Sequence, residues 1–281
     1  MSDTTTFVLS AFGDEIDSDL AVQLDVLSAI GIHHLELRGA WGRNVLDLGE
    51  EDLARAKALL DERGFGVSAI GSPIGKSALS EPRDFEVGRL GRAIEVADAL
   101  GTRLIRVFSF YVANDEAEQR RGEVLARMAL LAERAKRAGV TLLHENEKDI
   151  YGDTAARCHD LLTSIDSPAL RLAFDPANFV QVGVRPMADA WPLLAEYVAH
   201  VHIKDAVFSD GTVRPAGEGD GDIQHLLEAL VKRGYSGFLT LEPHLQVAGP
   251  SSGYSGEAGM RAAAAALRGL LTALPPGVPT E

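Results

Sequence analysis

The run RRGEVLARMALLAERAKRAGVTLLHENE, Arg120–Glu147, decides how this chain is read. Its first part has helical period and stops at Gly139, a residue suited to the left-handed cap of a helix. The apolar stretch VTLL follows at once and reads as a buried strand. It does not fade into a Gly, Asn or Asp turn but ends in His144, Glu145, Asn146 and Glu147. A helix, a glycine and a strand with chemically loaded C-terminal residues make one unit of an α/β architecture.

The same grammar recurs in both directions. Strands are expected near Phe7–Ala11, His33–Arg38, Gly66–Ile70, Leu104–Phe108, Val140–His144, Arg171–Phe174, Val198–Ile203 and Phe238–Leu241. The stretches between them include DLAVQLDVLSAIG, EVGRLGRAIEVADALG and DIQHLLEALVKRG, each helical in period and closed by glycine (Gly31, Gly101, Gly234). Eight strands, each followed by a helix, predict a (β/α)8 TIM barrel, a single α/β domain over residues 1–274. A doubly wound open sheet is the runner-up, but no GxGxxG follows the first strand. Residues 275–281, within LPPGVPTE, read as a flexible C-terminal tail.

Bulk properties narrow the function. The formal net charge is −14, and basic runs such as RLGR and AEQRR are short and read as helix surface. A phosphate backbone would be repelled, so nucleic acid is not expected as a partner. There is no run of eighteen apolar residues and no basic leader followed by an apolar segment, so neither a membrane span nor a signal peptide is expected. Cys158 is the only cysteine, which excludes an intramolecular disulfide and fits a reducing, cytoplasmic setting. In its predicted helix, a packing role is expected for it.

In such barrels chemistry sits at the C-terminal ends of the strands. Side chains alternate along a strand, so Glu145 and Glu147 share a face, as do His200, His202 and Lys204, and Thr240, Glu242 and His244. Four successive strands therefore present Glu145, Asp175, His202 and Glu242 at one end of the barrel. Three carboxylates and an imidazole would repel without a cation, and a divalent metal resolves this. An oxygen-rich set with one nitrogen and no sulfur suits Mn²⁺ first, with Mg²⁺, Co²⁺ and Zn²⁺ as alternatives. His202 is preferred over His200 because it lies nearer the strand end, leaving His200 as a core or supporting histidine.

HENE, FDPANF, HVHIKD, GEGD and LEPH, in this order over nearly the whole chain, resemble the xylose isomerase-like TIM-barrel superfamily of sugar isomerases and epimerases. The resemblance implies that Glu145, Asp175, His202 and Glu242 bind one divalent cation and that Glu145 and Glu242 also act as acid and base. It implies proton transfer on a sugar or keto-sugar through a metal-bound cis-enediolate, giving an isomer or an epimer. Loss of a β-leaving group would instead make the protein a dehydratase or lyase. The chain departs from the ketose 3-epimerases of that superfamily at three places, with Asn178, Tyr151 and Phe208 where those enzymes carry His, Glu and Arg. Endonuclease IV relatives use a histidine-rich, three-metal site, whereas this chain has 8 histidines and an acidic balance.

Further residues are expected around the substrate: Glu36 facing the pocket, Lys76 from the loop GSPIGKS, Glu147 one strand step beyond Glu145, Asn178, Lys204, and Arg214, the single basic residue in the loop after strand seven. The loops after strands seven and eight are poor in basic residues, which favours a neutral polyol or keto-sugar over a sugar phosphate. Many barrels of this family pair, which makes a homodimer a candidate assembly, although no interface is legible in the sequence.

Overall fold

The computed structural model describes residues 5–247 and 253–274. The expected tail, residues 275–281, lies outside the described residues. Eight parallel strands close into a barrel: β1 (Phe7–Ala11), β2 (His34–Leu37), β3 (Gly66–Ile70), β4 (Leu104–Val107), β5 (Thr141–Glu145), β6 (Leu170–Phe174), β7 (Val198–Ile203) and β8 (Gly237–Leu241). The spatial order β1-β8-β7-β6-β5-β4-β3-β2 follows the chain around the ring and closes β1 on both neighbours. Each strand lies within one residue of its expected bounds. The fold is a (β/α)8 barrel.

The helices are α1 (Leu20–Ala29), α2 (Glu50–Arg63), α3 (Arg83–Leu100), α4 (Ala117–Ala138), α5 (Ala155–Ile165), α6 (Pro176–Gln181), α7 (Trp191–Leu194), α8 (Ile223–Arg233) and α9 (Gly256–Thr272). Gly101, Gly139 and Gly234 end α3, α4 and α8 in the left-handed conformation, with φ of 77°, 69° and 73°. The sixth unit departs from a single long helix. Pro186 and Pro192 interrupt it, and the segment runs through the short α6, a π-turn at Pro186–Ala190 and α7.

Alternation divides the strand residues between two environments. Leu142, Val201, Ile203, Leu239 and Leu241 point outward into the main core beneath the helices. Leu143, Ala69 and Ala173 point inward and plug the barrel. Above that plug the inward positions become polar: Glu36, Arg106, His200 and Thr240 are all buried. The polar mouth therefore rests on an apolar floor, and it falls at the C-terminal ends of the strands.

Two loops around the mouth are built by close approach. The loop after β7 winds around Asp205, whose buried carboxylate accepts the backbone N–H groups of Gly217, Gly219 and Gly221 at 2.9, 3.0 and 2.8 Å. A side chain at Gly219 would collide with that carboxylate, which is the physical reason for the glycines in PAGEGDG. Gly75, after β3, has φ +83° and lies against the Phe108 carbonyl.

Candidate metal centre and active site

Glu145 is the last residue of β5, 1% exposed, and points into the barrel. Its Oε1 accepts from Asn178 Nδ2 at 3.1 Å, and its Oε2 accepts from Arg106 Nη1 at 3.2 Å. Asp175 follows β6 and precedes Pro176. It is the N-cap of α6, its Oδ1 accepting the Asn178 N–H at 2.9 Å, and Pro176 occupies the first helical position. The cap uses one carboxylate oxygen and leaves Oδ2 turned toward Lys204 and the centre of the mouth. Asn146 clasps the same backbone, donating to the Asp175 carbonyl at 2.8 Å and accepting its N–H at 3.0 Å.

His202 points inward from β7 with its edge against Phe12, ring centroids 5.2 Å apart. Its Nε2 lies 3.2 Å from Glu36 Oε2, which also lies 2.9 Å from His200 Nε2. Burial would raise the Glu36 carboxyl, but His202 and His200 outweigh it and hold it well below the usual carboxylate range. An ionised Glu36 only accepts, so Nε2 of His202 carries a proton. When His202 is neutral, Nδ1 therefore presents its lone pair, and it faces Glu145 Oε1 at 3.3 Å and Glu242 Oε2 at 3.9 Å. A carboxylate behind the ring is the usual device for orienting a metal-binding histidine.

Glu242 follows β8 directly. Its Oε2 accepts from Lys204 Nζ at 3.0 Å and its Oε1 from Arg38 Nη1 at 2.9 Å. Lys204 Nζ also lies 2.9 Å from Asp175 Oδ2. Arg38 in turn holds Asp14 and Glu15, at 2.8 and 2.9 Å, and stacks over Phe12 at 4.6 Å. His244 lies 2.9 Å from Glu15 and 3.4 Å from Glu242.

Ligand atoms of Glu145, Asp175, His202 and Glu242 all lie within 4.8 Å of one another, and all four residues are buried. Two of the facing atoms, Asp175 Oδ2 and His202 Nδ1, are buried yet make no aligned hydrogen bond; the Lys204 contact with Asp175 is an ion pair only. Buried polar atoms normally find partners. Two buried polar atoms without aligned partners, facing two further carboxylates, fit a divalent cation that would displace the His202 proton, and the donor set suits a hard one. Among the described residues a second group, Glu36, His200 and His202, also converges; there Glu36 Oε2 lies within hydrogen-bond reach of both imidazole Nε2 atoms, while Glu36 Oε1 and His200 Nδ1 are buried without a partner.

The electrostatics are those of a densely charged, dry site. Burial would raise the Glu145 carboxyl, but His202 and Arg106 hold it at about 2. Glu242 is likewise held well below its ordinary value against burial, by Lys204, His244, His202 and Arg38. Asp175 goes the other way, to about 6, because burial and the nearby Glu145 and Glu242 outweigh Lys204. Burial would lower His202 and Lys204, yet the carboxylates around them hold both well above their ordinary values.

A cavity of about 510 Å³ opens over the centre. Glu145, Glu147, Asn178, Lys204, Glu242 and Lys76 line it, with Lys76 Nζ 3.1 Å from Glu147. Two residues expected beside the substrate are elsewhere. Glu36 is fully buried beneath His202 and touches no part of the cavity wall. Arg214 is exposed on a two-residue strand, Val213–Arg214, paired with Asp205–Ala206, and is not part of the cavity wall. Arg106 and Arg38, by contrast, line the cavity and grip the outer oxygens of the two glutamates. Arg106 was legible as a charge at an inward position of an apolar strand, LIRVF, at the same parity as the plug residues of neighbouring strands.

A family model described as the xylose isomerase-like TIM barrel matches residues 24–270. The chain belongs to that family. It is 28% identical over 214 residues to 2-epi-5-epi-valiolone 7-phosphate 2-epimerase of an Actinoplanes species, covering 75% of this chain and 77% of that enzyme. It is 23% identical over 183 residues to 3-dehydroshikimate dehydratase of Bacillus anthracis, covering 64% of each chain. The crystal structure of a xylose isomerase-like TIM barrel protein from Mycobacterium smegmatis in complex with magnesium superposes with a TM-score of 0.69 at 17% identity, covering 98% of this chain and 99% of that one. The relatives of this xylose isomerase-like chain thus include both an epimerase and a dehydratase. No helix among the described residues is long and apolar enough to cross a membrane.

Proposed function

We propose that the protein is a divalent-metal-dependent isomerase or epimerase of a sugar or keto-sugar. The observation that carries this is the paired arrangement of Glu145 and Glu242. They stand at the two ends of the arc β5-β6-β7-β8, with Asp175 and His202 between them. Each turns one oxygen inward and hands the other to an arginine at the cavity wall. Two carboxylates flanking one bound carbon can take a proton on one side and give one on the other.

A divalent cation held by Glu145, Asp175, His202 and Glu242 would supply Lewis-acid polarisation of a substrate carbonyl, typically worth several kcal/mol. The residues of the chain do the rest. One glutamate removes the proton from the carbon next to the carbonyl, which becomes planar. The other returns a proton to the opposite face, giving an epimer, or to the adjacent carbon, giving an isomer. General acid–base transfer of this kind contributes roughly 10²–10⁴-fold. Asn178, bonded to Glu145, fixes one carboxylate, and Arg38 fixes the other. Elimination of a β-hydroxyl after the same proton removal is the second reading, supported by the similarity to a dehydratase.

The test is solvent exchange. Metal-loaded protein is screened against keto-sugars in D₂O by NMR, and deuterium should enter the carbon beside the carbonyl. Glu145→Gln and Glu242→Gln should each reduce that exchange by at least about a hundredfold. Full exchange in either variant would remove that glutamate from the mechanism, and loss of water from the product would favour the dehydratase reading.

A further inference from the structure

The cavity wall reverses the charge of the protein. Over the chain, 41 acidic residues outnumber 27 Lys and Arg. The lining carries Arg38, Lys76, Arg106, Lys148 and Lys204 against three carboxylates, Glu145, Glu147 and Glu242. Cations gathered at one mouth of an otherwise acidic molecule focus an attractive field there for anions.

Three of these cations come from the β3–β5 side of the mouth, and of them Arg106 also touches a candidate metal ligand, Glu145. Lys76 comes from the loop after β3, Arg106 from β4 and Lys148 from the loop after β5. In the ring order, β3 and β4 lie across the barrel from β7 and β8, which bring His202 and Glu242. Lys76 and Arg106 both lie against the Phe108 ring, 4.3 and 4.8 Å from its centroid, so one aromatic plate holds both. Arg106 is 5% exposed, and its Nε is buried with no hydrogen-bond partner. Its Nη1 meets Glu145, and its Nη2 meets the carbonyls of Gly71 and Ser72 at 3.3 and 3.4 Å. Lys148 lines the cavity and joins none of the ion pairs among the described residues. Glu147, paired with Lys76, is the one carboxylate on this side that is not a candidate metal ligand.

We infer that the substrate carries an anionic group, a phosphate monoester or a carboxylate, held by Lys76, Arg106 and Lys148 on the β3–β5 side while its carbonyl end faces the metal ligands. This rests on the metal-centre reading above. A cation bound by Glu145, Asp175 and Glu242 takes over the neutralisation that Arg106, Arg38 and Lys204 provide, so the wall is left with a surplus of positive charge. Phosphate and carboxylate share the need for charge-assisted donors, and a guanidinium and two ammonium groups on one cavity wall supply them. The inference departs from the neutral substrate expected from the loops after strands seven and eight, because the basic groups arrive from the loops after strands three and five and from strand four.

The test uses isothermal titration of the metal-loaded full chain at low ionic strength, with inorganic phosphate, acetate and the neutral polyol xylitol as probes. Metal content is measured on the same samples. At least one anion should bind at least tenfold more tightly than xylitol. The double variant Lys76→Gln, Lys148→Gln should lose tenfold or more of that affinity while keeping the wild-type metal stoichiometry. Tighter phosphate would assign a phosphate ester, and tighter acetate a carboxylate. Xylitol binding as well as the anions, no anion binding to metal-loaded protein, or an anion affinity indifferent to both lysines would overturn the inference. A wild-type chain that takes up no metal would instead overturn the metal-centre reading, and the stoichiometry separates the two failures.

Discussion

Lys204 is the most informative residue to perturb. The residue is 4% exposed, and its ammonium lies 2.9 Å from Asp175 Oδ2 and 3.0 Å from Glu242 Oε2, two inward oxygens of the candidate metal centre. In the metal-free protein it is their principal counter-charge. Lys204→Met keeps most of the apolar stem and deletes the charge. Removing one partner of a buried ion pair typically costs about 3–5 kcal/mol, because the remaining charge is left without compensation. One kcal/mol moves Tm by roughly 2–4 °C in a domain of this general size, so the metal-free variant should melt roughly 10 °C below wild type. The comparison belongs at pH 8, well above the value of about 6 at which Asp175 is held in the wild type, because Asp175 rises further once Lys204 is gone and proton uptake relieves least of the loss at high pH. With saturating Mn²⁺ the cation supplies the missing charge, and the difference should fall to about a third or less. Differential scanning calorimetry with EDTA and with Mn²⁺ reads both numbers. An equal loss of Tm in both states would refute the reasoning, since Lys204 would then be a packing residue unconnected to metal.

Metal binding should also release protons. His202 is held well above its ordinary value and is protonated at pH 7 without metal, but it must be neutral to bind through Nδ1. Titration calorimetry in buffers of different ionisation enthalpy should report about one proton released at pH 7, rising below about pH 6 as Asp175 adds its own; zero release would exclude His202 as the nitrogen ligand. Asp205→Ala should unlock the loop after β7. Three backbone N–H groups would lose their acceptor, at about 1–3 kcal/mol for each one left buried. Limited proteolysis should cut near residues 215–221 in the variant and not in wild type, and an unchanged digest would count against Asp205 as the organiser of that loop.

Much of this architecture is local in the chain and was readable from it. Barrel units repeat a helix, a glycine and a strand, so each boundary carries its own signal, and the eight strands fall within a residue of expectation. Alternation along β5, β7 and β8 places Glu145, His202, Lys204 and Glu242 on the inner face without knowledge of the rest. Asp175 shows two roles that sequence alone sets in competition: one oxygen caps α6, as an Asp-Pro turn would suggest, and the other faces the centre. What the sequence hides is depth and non-local pairing. Glu36 has the right parity but sits one layer too low, because His202 covers it. Arg214 is held on a hairpin whose partner is Asp205–Ala206 and does not reach the cavity wall. Arg106 reads as an interruption of an apolar strand until the ring closes and brings Glu145 to within 3.2 Å. The basic character of the cavity escapes inspection of any single segment, since Arg38, Lys76, Arg106, Lys148 and Lys204 arrive one each from five different strands or the loops after them.

The most direct measurement is the divalent-metal stoichiometry of the purified chain, read together with solvent deuterium exchange into a keto-sugar on the same samples. The account predicts one ion per chain, lost in Asp175→Asn together with exchange, whereas Glu145→Gln and Glu242→Gln lose exchange even where metal is restored at high concentration. Exchange that persists in Asp175→Asn without bound metal, or a wild-type chain that binds no divalent ion, would contradict it.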